Sequence, residues 1–326
     1  MPQKDKVLII PSTNKQIRAQ EILHQYKKDV IGDALKGTVE KIDPKELHSE
    51  IVEYVPEDCM KILQSSGIRD ENFFALPCIL KKNPKMLGYY RLLMGISEKQ
   101  FYSSATGLSQ FNCMEEKGVI PNCKNTSCIQ ELCKAINGAM QEFLKELKKD
   151  CLSQDVSDFP IMTLGVYVDG VWRNFIGANA ANNVFNAIKN IVNEKKLKIS
   201  ENNEKVCTFT NKKGKKISIN LASDPDVSIY ANDSKLLCIE IKGGQDVANV
   251  HNRAGEAEKS HQKAKKSGWK HKWTVIYLSK LQTSQQSKLR VESPTTDEWF
   301  DVNEICCESG TSYNSFKEKI LKIFEL

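Results

Sequence analysis

The sequence predicts a mixed α/β (α+β) chain: a helical N-terminal region over residues 1–155, then a domain over 156–326 with a mixed central sheet flanked by helices. Three observations predict it. Between Lys216 and Ser279, the runs 217–221, 227–230 and 236–242 alternate apolar and polar positions, the period of half-buried strands. The period then changes: Ala254, Ala257, His261 and Ala264 recur at spacings of three and four over 252–267, which is one side of a helix, before 273–278 returns as a buried strand. Ahead of the sheet, the apolar residues repeat mainly at the helical period.

The first such helix is expected over 14–36, where Ile17, Ile22, Leu23, Tyr26, Val30, Ile31 and Leu35 make a broad apolar face. Ser12-Thr13-Asn14 offers its cap and Gly37 its stop. A second helix over 44–54 starts on Pro44. A third starts near Pro56 and stops at Gly67. Residues 71–80 read as a short helix or irregular segment, and 85–93 continue the bundle. Ser97, with Gln100 three residues on, caps a further helix; the stretch to Asn112 faces DNA or simply packs. Ser127 is expected to cap a long amphipathic helix to Lys149 through Leu132, Ile136, Met140, Phe143, Leu144 and Leu147, a face that serves dimer contact or core burial equally well, in a region expected to serve DNA recognition and dimerisation. Residues 151–159 read as a polar connector and the domain boundary. Residues 161–168 alternate loosely, as in a strand turned by Gly170. A helix follows over 174–192. The lysine-rich stretch 194–216 carries a hairpin tip at 212–216, either a solvated turn or a phosphate contact. Beyond Leu278, 299–305 adds an element and 313–324 a closing amphipathic helix.

Composition bounds the partners. Forty per cent hydrophobic and 27% charged residues is ordinary for a globular chain. The 47 Lys and Arg against 41 Asp and Glu give +6, which suits a polyanion if clustered. No run approaches the 18 apolar residues of a membrane span, and the opening MPQKDKVLIIPSTNKQ is expected not to be a signal peptide. Eleven cysteines is an odd count without a regular framework, so reduced thiols and a cytoplasmic location are expected. Cys113, Cys123, Cys128 and Cys133 cluster, but their spacing lacks the paired knuckle of a zinc site. They read better as small apolar packers.

The chemistry concentrates on Pro225-Asp226, thirteen intervening residues, then Glu240-Ile241-Lys242. Strand residues two apart share a face, roughly 7 Å apart. Glu240 and Lys242 therefore project together, Ile239 and Ile241 point inward, and Asp226 from the neighbouring strand reaches the same side. Two carboxylates at a strand end suit Mg²⁺, which polarises a phosphoryl oxygen and lowers the pKa of bound water. A lysine beside them orients that water and offsets growing negative charge. The other reading is a turn tripeptide followed by a solvated strand face.

With its strand context, glycine stop and following helix, this stretch resembles the PD-(D/E)xK nuclease superfamily, and within it the type II restriction endonucleases. IEIKGGQDVANVHNRAGEAEKSHQKAKKSGW is similar to the catalytic segment of XcyI-type enzymes, which cut CCCGGG. More distantly it resembles the AvaI/BsoBI group, with its Glu-Leu-Lys-Gly-Gly-x-Asp run. WRNFIGANAANNV, from Trp172, resembles an Arg-Asn-x-x-Gly-Ala helix start of that group. The resemblance covers about Gly165 to Ser279, with a weaker echo in LGYYRLLMGISEKQFYSS from Leu87. It implies a PD-(D/E)xK core in which Asp226 and Glu240 hold Mg²⁺ and Lys242 positions water. His251 would assist proton transfer or grip phosphate, or is a satisfied structural histidine. Asp246 would read a base, with Asn252, Arg253, Lys259, Gln262, Arg173 and Asn174 as further DNA contacts, while Lys265 and Lys266 face solvent. On the helix that often supplies a further metal-touching Glu, this chain has Asn182 and Asn183, which puts a second metal ion in doubt. The expected enzyme is a Mg²⁺-dependent homodimer cutting double-stranded DNA at a GC-rich palindrome, with a DNA methyltransferase as genetic partner. A structure-selective repair or recombination nuclease and a non-catalytic nucleic-acid-binding module stay open.

Overall fold

The computed structural model describes residues 13–122, 127–147, 152–244, 246–279 and 281–326. The chain divides into two compact units, Met1–Trp172 and Arg173–Leu326.

The helices of the first unit are α1 (Asn14–Asp29), α2 (Asp33–Val39), α3 (Pro44–Tyr54), α4 (Glu57–Ser65), α5 (Pro77–Lys82), α6 (Met86–Leu93), α7 (Glu98–Phe101), α8 (Asn112–Lys117) and α9 (Cys128–Glu146). The single helix expected over 14–36 is broken in two. Gly32 sits at φ 66°, a left-handed conformation that ends α1 and lets α2 restart. Gly37 therefore lies inside α2, and Thr13 makes no side-chain cap. Pro44 and the Asp43 carboxylate, which accepts from the Lys45 and Glu46 N–H groups, start α3 as expected. Ser97 accepts from Gln100 N–H and starts α7, whose Phe101 is buried. Ser127 does not cap α9 through its side chain, because its hydroxyl donates to Glu131. The stretch from Leu87 is core: α6 is buried along its whole length, and Arg91 forks onto Glu115 at 2.9 and 2.5 Å.

The helix α10 (Leu152–Glu194) overturns two expectations. The stretch 151–159 is helical from Leu152 rather than a connector, and 161–168 is helix rather than strand. The division of the chain falls after Trp172 instead. The reason is a four-residue repeat: Leu152, Val156, Leu164 and Val168 are buried, while Met162 and Val166 are exposed. That stripe outweighs the loose alternation.

The second unit is a seven-stranded mixed sheet in sequential order. Its strands are β1 (Ile199–Asn202), β2 (Val206–Thr210), β3 (Lys216–Leu221), β4 (Val227–Ala231), β5 (Ser234–Lys242), β6 (His271–Ile276) and β7 (Glu298–Asp301). The first five form an antiparallel meander; β6 and β7 run parallel to β5. The Lys212–Lys216 hairpin tip turns at Gly214, φ 79°. Asn232 and Asp233, both at positive φ, make the tight β4–β5 hairpin. After β5 come α11 (Val250–Lys266), α12 (Thr283–Glu292), α13 (Val302–Cys306) and α14 (Thr311–Ile323); α12 and the pair β1–β2 carried no signal that the sequence reading used.

The sheet has a dry face and a chemical face. On the dry face Leu237, Ile239 and Ile241 pack with Val184 and Ile188 of α10 and Phe316 and Ile320 of α14. On the other lies α11, whose Ala254, Ala257, His261 and Ala264 are all buried. The alanines let that helix approach the strands closely. Among the described residues eight cysteines are free thiols, but Cys128 is disulfide-bonded, so the expectation of reduced thiols throughout fails there. Cys123 lies outside the described residues, and those described offer no cluster of three or more metal-ligating side chains. No helix among them is long and apolar enough to cross a membrane.

Candidate active site

The β4–β5 ladder builds the site. Val227 pairs with Ile239, so Asp226, one step before, stands opposite Glu240 on the chemical face. Its Oδ2 accepts from the Ile241 N–H at 2.7 Å. Lys242 Nζ lies 3.0 Å from Glu240 Oε1. The three residues singled out by spacing are therefore brought together. They are not equivalent: Asp226 and Lys242 line an open cleft of about 1460 Å³. Glu240, 7% exposed, sits behind them in a smaller pocket of about 320 Å³ beside Ser260 and His261.

Burial, then the Glu240 charge, pushes the Asp226 carboxyl up to about 6, although the Ile241 N–H and Lys242 pull it down. Burial pushes the Lys242 ammonium down, but Glu240, Glu256 and Asp226 outweigh it and hold the lysine above its usual range. The group is a strained acid beside a firmly charged cation. Glu258, also buried, contrasts with it. Burial raises its carboxyl, but Thr295, Gln262 and Ser293 donate enough hydrogen bonds to hold it below the usual range. That carboxylate ties α11 to the segment before β7. Burial drops His261 to about 4; it sits 2.9 Å from Thr274 Oγ1 as a neutral core histidine.

Gly243 and Gly244 shape the cleft floor. A Cβ on Gly243 would lie 2.5 Å from Ala180 Cβ and 3.0 Å from the Ile176 carbonyl oxygen, so its absence lets the end of β5 reach α10. A Cβ on Gly244 would strike the Arg253 guanidinium. That guanidinium donates to the carbonyls of Gly244 at 2.9 Å and Asp246 at 2.8 Å.

The other sequence-predicted residues divide. Arg173, Asn174, Asp246, Asn252 and Arg253 line the cleft, as does Asn182 on α10. Asp246 is also a cap, its Oδ1 accepting from Ala248 N–H at 2.9 Å and its Oδ2 from the Asn249 amide. His251 is not among the cleft-lining residues; its Nδ1 meets Glu292 of α12 at 2.6 Å. Lys259 is exposed and Gln262 donates to Glu258, both outside the cleft lining. The sequence reading missed Glu256, Ser260 and Lys205. Glu256 stands 3.5 Å from Lys242 Nζ, Ser260 donates to Glu240 at 3.3 Å, and Lys205 lines the cleft. The spacing of Asn252, Glu256 and Ser260 by four was the available signal for the first two: it marks a polar stripe beside the alanine face.

The family model of the XcyI restriction endonuclease matches residues 20–326. The chain belongs to the XcyI restriction endonuclease family. The type II restriction enzyme Cfr9I of Citrobacter freundii is 34% identical over 324 residues, 97% of this chain and 96% of that enzyme. The type II restriction enzyme XcyI of Xanthomonas campestris pv. cyanopsidis is also 34% identical, over 96% of this chain and 94% of its own. The resemblance seen over about a third of the sequence thus extends to nearly all of it. This member of the XcyI family is a type II site-specific DNA endonuclease, and the cleft floored by Gly243 and Gly244 is its candidate active site.

Proposed function

We propose that this XcyI-family enzyme hydrolyses one phosphodiester in each strand of a GC-rich palindromic duplex, using Mg²⁺ and a PD-(D/E)xK core. The observation that carries this is that Asp226 and Lys242 line one end of the cleft, with Glu240 directly behind them, 3.0 Å from Lys242 Nζ and opposite Asp226 across the β4–β5 ladder. The residues fit a hard divalent cation: burial and then the Glu240 charge raise the Asp226 carboxyl, and a cation held by both carboxylates would offset that charge. When bound, the metal polarises the scissile phosphate and acidifies water. Lys242 orients the attacking water and offsets charge as its oxygen bonds to phosphorus and the bond to the leaving oxygen breaks. Arg173, Asn174, Asn252 and Arg253 face the incoming DNA, and Lys205 adds positive charge to the same cleft. With Asn182 where a further acid would help, one metal ion per site suffices in this reading. His251, paired with Glu292, serves α11–α12 packing rather than the chemistry.

A palindrome matches two-fold protein symmetry, so the working form is a homodimer, and a DNA methyltransferase protects the host's own sites. Plasmid DNA incubated with the protein and Mg²⁺ should give discrete bands. The Lys242→Ala variant should bind the same site and cut only at a small residual rate. A smear, or cutting by Lys242→Ala at the parental rate, removes the assignment.

A further inference from the structure

Glu256 belongs to none of the roles above, yet it faces the cleft. Its side chain is 62% exposed, and its Oε2 lies 3.5 Å from Lys242 Nζ. A carboxylate facing a bound polyanion repels it, so a role for Glu256 must lie elsewhere than in gripping DNA. One turn on, Ser260 donates to Glu240 Oε1, the oxygen that also meets Lys242 Nζ at 3.0 Å. Successive turns of α11 thus touch both members of the ion pair. An ammonium has three N–H donors on a flexible four-carbon stem. One carboxylate leaves it free to swing; two, from a strand and a helix, restrict it and leave a donor for water or phosphate.

We propose that Glu256 is a positioning residue for Lys242, clamping its ammonium from the helix side while Glu240 holds it from the strand. The inference rests on the reading of Lys242 given above. It also explains how the lysine stays placed when a metal draws on the charge of Glu240: the second carboxylate is on another element and remains.

The test uses the full chain and compares Glu256→Gln, Lys242→Ala and the double variant. Measured are single-turnover cutting with Mg²⁺, DNA dissociation constants in Ca²⁺, and Mn²⁺ binding by electron paramagnetic resonance without DNA. Glu256→Gln should cut roughly 10–100-fold more slowly, the cost of a misplaced group. Its DNA binding should be equal or tighter and its Mn²⁺ affinity unchanged. Added to Lys242→Ala, it should cost nothing more, because coupled residues are not additive. Parental cutting by Glu256→Gln, with Lys242→Ala reduced to its residual rate, overturns the clamp alone. A large loss of Mn²⁺ affinity overturns it in favour of a metal ligand. A further tenfold loss in the double variant shows that Glu256 does not act through Lys242. Parental cutting by Lys242→Ala sinks the underlying reading instead.

Discussion

Replacing Asp226 by asparagine should stabilise the metal-free protein while abolishing its activity. The folded carboxyl titrates near 6 against 3.8 for the free group, through burial and then the Glu240 charge. That is about two units, each worth about 1.36 kcal/mol. Since Asp226 keeps some solvent contact, the ionised form is disfavoured by about 1–3 kcal/mol. Asparagine keeps an acceptor for the Ile241 N–H and carries no charge. For an acid with a raised folded pKa, the stability it contributes is complete below its unfolded pKa and lost as pH rises through the folded one. The gap between Asp226→Asn and the parent should therefore be near zero at about pH 3, below the unfolded pKa, and reach about 1–3 kcal/mol above pH 7. Urea unfolding in a chelator, followed by tryptophan fluorescence, reads this; Trp269, Trp273 and Trp299 all lie in the second unit. Cutting should fall at least about a thousandfold, given several kcal/mol of lost metal assistance. A variant less stable than the parent at pH 8, or a gap that ignores pH, would refute the account of Asp226.

Three further outcomes follow from the same geometry. Gly243→Ala should destabilise the second unit by about 1–3 kcal/mol and slow cutting, since its Cβ meets Ala180 at 2.5 Å; an unchanged melting temperature would show that β5 and α10 part freely there. Replacing Mg²⁺ with Ca²⁺ should support DNA binding with little cleavage, because calcium coordinates oxygen more loosely and at longer distance; calcium-supported cutting at the magnesium rate counts against the metal assignment. Asp246→Asn keeps an acceptor for Ala248 N–H but also presents a donor, so it should fold normally and lose about 1–3 kcal/mol of discrimination at one base pair per half-site. Full site preference, measured against duplexes with single base-pair changes, would leave Asp246 as a cap alone.

What the sequence determined by itself was local. Period-2 runs from Ile217 to Lys242 placed Glu240 and Lys242 on one strand face, and the alanine spacing of α11 identified the side it buries. Both follow from fixed side-chain periodicities, which need no knowledge of distant residues. Gly32 shows the limit even there: its left-handed turn split a helix whose apolar face reads as continuous. The tertiary structure decided whatever depends on segments far apart in sequence. Asp226 faces Glu240 only because β4 and β5 pair in a register where a one-residue slip would turn it to the dry face. Residues 152–168 join α10 because a four-residue stripe found a core to bury in. Glu256 and Ser260 reach the ion pair, and His251 turns to Glu292, because of how α11 lies on the sheet and against α12. No local pattern encodes that placement, since it is set by the close packing of side chains drawn from the whole unit.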